Sequence, residues 1–95
     1  MIIIKINPSS GGKEYMDRFA IQVDARKYEP KDKHITIFEA FDKLIPGESM
    51  ELINDHDPRP LYYQFKAERT GEFEWEYMEE GPGVWRIAIS KRITL

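Results

Sequence analysis

The sequence predicts a two-layer α/β sandwich (an α+β fold), with a mixed four-stranded sheet covered on one face by two helices. Three observations predict it. The hydrophobic period alternates between two residues and about 3.6 residues, in the order β-α-β-α-β-β. A stop follows each helical stretch, Pro46-Gly47 after the first and Thr70-Gly71 after the second. The last third alternates apolar and charged residues on both sides of Gly81-Pro82-Gly83, the pattern of a hairpin with one buried face.

Met1 to Ile6 reads as a short isoleucine-rich strand, and Asn7-Pro8-Ser9-Ser10-Gly11-Gly12 then breaks all periodicity. Residues 1–15 are expected to form this strand and loop extension, and residues 16–95 the sandwich domain. An isoleucine strand left in water is an aggregation hazard, so the extension is expected to pair beside the first strand of the domain, in its own chain or a neighbour's. Phe19, Ile21 and Val23 alternate with Ala20, Gln22 and Asp24 as that first strand. Tyr28 to Lys33, with Glu29-Pro30 inside it, reads as a loop. From Ile35 to Leu44 the helical spacing of Ile37, Phe38, Phe41, Leu44 and Ile45 puts them on one face.

Met50 and Leu52 alternate with Glu51 and Ile53 in the next strand, which runs into Asn54-Asp55-His56-Asp57. Asp57 is expected to cap the following helix, with Pro58 in its first turn. Leu61, Tyr62, Phe65 and Ala67 belong to that helix. Phe73, Trp75 and Tyr77 then alternate with Glu72, Glu74 and Glu76; after the turn, Trp85, Ile87 and Ile89 alternate with Arg86, Ala88 and Ser90. The glutamates opposite Arg86 predict exposed cross-strand ion pairs, which contribute little in water. Right-handed crossovers make the first three strands of the domain parallel and the fourth antiparallel. The expected core is Phe19, Ile21, Phe38, Phe41, Leu44, Leu52, Leu61, Phe65, Trp75 and Trp85.

The chain of 95 residues, 41% hydrophobic and 33% charged, has room for one core. It has no cysteine. That removes disulfides, thiolate metal sites, a cysteine nucleophile and a persulfide, and it fits a reducing, cytoplasmic compartment. A formal charge of −3 gives no basic field for duplex nucleic acid. The longest apolar run, Met1 with Ile2-Ile3-Ile4, is far short of the roughly 20 residues that cross a bilayer. Neither nucleic acid nor membrane is an expected partner.

Three segments together resemble a known family: Ile37-Phe38-Glu39-Ala40-Phe41-Asp42-Lys43-Leu44 with Pro46-Gly47-Glu48-Ser49; Leu52-Ile53-Asn54-Asp55-His56-Asp57-Pro58-Arg59-Pro60-Leu61; and Phe73-Glu74-Trp75-Glu76-Tyr77 with Glu80-Gly81-Pro82 and Trp85-Arg86. This pattern looks like the uncharacterised family called domain of unknown function 2249, over roughly Phe19 to Lys91. The family is similar in fold to the TusA/SirA-like sulfur carriers, which implies a strand order of 1-2-4-3 within the domain. Sulfur carriers of that type have a Cys-Pro-x-Pro motif before the first helix. Here the corresponding stretch is Tyr28-Glu29-Pro30-Lys31, without the cysteine, so sulfur relay is not implied. The resemblance also implies a partner such as a hemerythrin-like domain.

Parallel strands followed by helices bring their carboxyl ends to one edge of the sheet, where ligands bind in open α/β sheets. That edge collects Arg26, Asn54, Arg59, Glu79 and Glu80, and it places His34 and His56 near the two helix starts. Their rings are expected to lie within about 10 Å of each other. Two imidazoles with a carboxylate suit a divalent transition metal, so His34, His56, Asp55 and Asp57 are the candidate metal ligands. The structural alternative has Asp55 and Asp57 capping the second helix, His56 ordering the loop and His34 solvated. An anion between the two helix N-termini, flanked by Arg26, Lys31, Lys33 and Arg59, is opposed by the acidic residues around it. Ser9, Ser10, Ser49 and Ser90 have no histidine with an orienting acid beside them, and no catalytic residue is assigned. The expected function is a non-enzymatic accessory or binding domain acting through this His/Asp edge on a metal, a metallocentre or a protein partner. The alternative is a small enzyme using His34 or His56 for acid–base chemistry at the same edge.

Overall fold

The computed structural model describes residues 2–4 and 18–93. The elements are β1 (Ile2–Ile4), β2 (Ile21–Asp24), a single 3-10 turn (Ala25–Lys27), α1 (Pro30–Lys43), β3 (Ser49–Asn54), α2 (Arg59–Glu68), β4 (Phe73–Glu80) and β5 (Trp85–Lys91). They form one sheet in the order β1-β2-β3-β5-β4. β2 and β3 are parallel, and β5 runs antiparallel to both β3 and β4. The expected mixed four-stranded sheet with two helices is thus present, with β1 added at one edge. β1 pairs antiparallel with β2 of the same chain, Ile3 opposite Gln22. The expected loop over residues 7–15, Ser9 and Ser10 included, lies outside the described residues.

Strand parity sorts the side chains. Val23, Met50, Leu52, Ile87 and Ile89 meet Phe41 of α1 and Phe65 of α2, all fully buried. Phe38 of α1 stacks on Phe65 of α2 with ring centroids 4.3 Å apart, so both helices lie on the same face of the sheet. Expected core positions Phe19, Ile21, Phe38, Phe41, Leu44, Leu52, Leu61 and Phe65 are buried. Trp75 and Trp85 are only half-buried and pack around that core, and Ile45, expected on the buried face of the first helix, lies past its end and is exposed. Trp75 sits on the edge strand, where Tyr62 and Phe65 reach it from one side only. Trp85 sits at the hairpin end of β5, paired with Asn54 at the limit of the sheet.

The helix boundaries differ from expectation at their N-terminal ends. α1 begins at Pro30, so part of the expected loop is helical. Proline's fixed φ and missing N–H suit a first helical turn. The polar run Pro30 to Lys33 has no apolar period because it faces mainly water. α2 begins at Arg59 with Pro58 at the cap and no side-chain cap bond, so Asp57 does not cap it. On the helix-free face the ion pair is not the exposed one expected. Glu51 is 3% exposed, accepts from Gln22 Nε2 at 2.7 Å, and pairs with the Arg86 guanidinium.

Candidate functional site

β2 and β3 end together at one edge, and α1 and α2 both begin there. Parity puts Asn54 on the helix-facing side of β3, two residues beyond Leu52, at a position where the alternation calls for an apolar side chain. Asn54 is 5% exposed, and its Oδ1 has no hydrogen-bond partner. A buried carbonyl left unpaired costs about 1–3 kcal/mol.

Asn54 lines a cavity of about 60 Å³ together with His34, His56, Lys33, Ile37 and Leu61. The two histidines therefore share one edge, as expected. His34 stands one turn into α1, and its Nδ1 lies 2.6 Å from Oε1 of Gln64 on α2. Gln64 in turn donates from Nε2 to Glu68 at 3.1 Å. His56 Nδ1 lies 2.7 Å from Asp55 Oδ1, both side chains being more than half exposed. The hydrogen bond from His56 holds the Asp55 carboxyl below the usual carboxylate range, helped by the charge of Lys33.

The other expected edge residues are engaged elsewhere. Asp57 accepts from the Tyr77 hydroxyl at 2.7 Å and pairs with Arg59 at 3.4 Å. Arg26 folds back onto Asp24 with two side-chain bonds of 2.8 Å, which holds the Asp24 carboxyl low. Glu79 stands 4.0 Å from Arg86, and Glu80 ends β4 exposed. Arg26, Asp57, Arg59, Glu79 and Glu80 lie outside the cavity walls. Among the described residues no three His, Cys, Asp or Glu side chains gather closely enough to hold a metal ion.

Two partners escaped the sequence reading. Gln64 is 30 positions from His34, and only the contact of two helices brings them together. Tyr77 reaches Asp57 from the edge strand, 20 positions on. The one legible signal was that Gln64 precedes Glu68 by a helical turn.

Among the described residues no helix is long and apolar enough to cross a membrane. A family model described as an uncharacterized conserved protein (DUF2249) matches residues 22–91. No curated protein and no solved structure matches the chain.

Proposed function

We propose a function from one premise: the chain belongs to the DUF2249 family of uncharacterized conserved proteins. It is a non-enzymatic accessory domain that binds through the edge where β2 and β3 end. Its ligand is a metal, or a protein partner that carries one, such as a hemerythrin-like domain. The domain order of the strands and the two helices on one face support a TusA-like architecture. The cysteine-free composition suits a cytoplasmic setting and leaves no thiol for a persulfide.

The observation that carries the binding reading is a cavity lined by both histidines and by Asn54, whose buried Oδ1 has no partner. A leucine there would extend the core without an unpaired oxygen. A polar group at that position supplies an acceptor that a ligand can pair with. The cavity is small, which suits holding a ligand of a few atoms more than turning over a substrate.

An amide-shift titration of labelled protein tests this, first with divalent transition metals and then with an iron-loaded hemerythrin-like domain. Shifts are expected to cluster at residues 33–37 and 54–61. Shifts confined to other surfaces, or none with any ligand tried, overturn the reading.

A further inference from the structure

Taking the edge to be a binding surface, we infer that its cavity holds a divalent transition metal ion through Nε2 of His34, Nε2 of His56 and Oδ1 of Asn54. The donor set follows from the hydrogen bonds around it. Glu68 accepts from the Gln64 amide nitrogen, so the Gln64 oxygen is the atom facing His34. An oxygen acceptor there requires the proton on His34 Nδ1, which leaves Nε2 with a lone pair. Asp55 is a carboxylate and accepts only, so His56 carries its proton on Nδ1 as well. In the neutral form the two rings therefore have the same tautomer.

A ring N–H held by a carboxylate or carbonyl, with the opposite nitrogen open, is the outer-shell arrangement of metal-binding histidines. Asn54 adds a third lone pair that is buried and unpartnered. All three residues line a cavity of about 60 Å³, room for an ion and about one water. Two imidazoles select zinc, copper, nickel or cobalt over magnesium and calcium. Three protein donors leave a coordination position for water or a partner's side chain. Asp55 acts through His56, and Asp57 belongs to Tyr77 and Arg59; neither is a ligand. Lys33 lines the same cavity and its ammonium opposes a bound cation.

Calorimetry of the metal-free protein with zinc, and the visible spectrum with cobalt, test the site. One ion per chain is expected. His34→Ala and His56→Ala are each expected to weaken zinc binding at least tenfold, with the fold intact by circular dichroism. Gln64→Leu, which touches no metal, is expected to weaken it about tenfold. Lys33→Met is expected to tighten it. Asn54→Leu is expected to weaken zinc binding while raising the melting temperature, a pairing that a purely structural asparagine does not give. In the metal-free protein, imidazole nitrogen spectra are expected to show both rings protonated at Nδ1. No zinc uptake, uptake indifferent to both histidine variants, or the opposite tautomer overturns the metal site.

Methylguanidinium separates this failure from failure of the binding reading. If it shifts residues 33–37 and 54–61 while zinc does not, the metal proposal falls, and the edge is an acceptor site for a partner's arginine. If neither probe nor the hemerythrin-like domain shifts them, both fall.

Discussion

The two faces of this sheet are built from alternate residues of the same strands, yet they are held by different physics. On the helix side, Met50, Leu52, Ile87 and Ile89 meet Phe41 and Phe65 with no polar atom among the side chains. On the other side, the intervening positions of β2, β3 and β5 give Gln22, Glu51 and Arg86, a hydrogen-bonded set with Glu51 almost fully buried. The first face tolerates loss in proportion to volume. The second is sensitive to the loss of one partner and tolerant of losing both, because the cost lies in a charge left unpaired. Burial alone therefore does not tell how a position responds to substitution.

Phe65→Ala is expected to have the largest effect, about 3–5 kcal/mol by denaturant unfolding, since it empties the centre of the helix layer. Trp85→Ala, at a half-buried position, is expected to cost clearly less; equal costs would mean that the core extends under the hairpin. Arg86→Leu is expected to cost about 1–3 kcal/mol, discounted because its guanidinium still reaches solvent. The double variant Glu51→Leu, Arg86→Leu is expected to recover most of that loss. Additive losses in this cycle would erase the contrast between the faces.

Tyr77→Phe tests a smaller polar contact, on the helix side, and is expected to cost about 1 kcal/mol. Burial, and then the hydrogen bond to Asp57, hold the Tyr77 hydroxyl above the usual tyrosine range. The folded state thus keeps this proton more tightly than the unfolded chain. The stability it contributes is whole below about pH 10 and is lost as pH rises through the folded value. Tyrosinate absorbance is expected to show one late ionisation that Tyr77→Phe removes. The smallest effect is expected from Glu74→Ala, about 0–0.5 kcal/mol, because the Arg92–Glu74 pair at 3.5 Å is open to water on both sides.

Periodicity made the sheet, both helices and the dry face legible, since Ile37, Phe38 and Phe41 or Met50 and Leu52 declare their partners by spacing alone. The start of α1 was not legible, because Pro30 to Lys33 faces mainly water and water imposes no period. The burial of Glu51 was not legible either. It depends on Gln22 and Arg86 from two different strands, and a glutamate at an outward position looks the same whether or not an arginine covers it. At the edge, topology sufficed to bring His34 and His56 to one cavity. It did not show that Asp57 would turn to Tyr77, or that the buried Asn54 oxygen would be left without a partner, because those outcomes are decided by side chains from elements far apart in the chain.

The order of the strands has a consequence for synthesis. β5, made after the other described strands, enters between β3 and β4 and supplies the second edge of β3. A chain growing from its N-terminus carries β2, β3 and both helices out of the ribosome while that edge of β3 is still unpaired, with Met50 and Leu52 half covered. The sheet cannot close until the hairpin has emerged. The interval between the emergence of β3 from the ribosome and the emergence of β5 is therefore when a nascent chain of this protein most needs shelter from other strands, and a stall within it would display an adhesive edge.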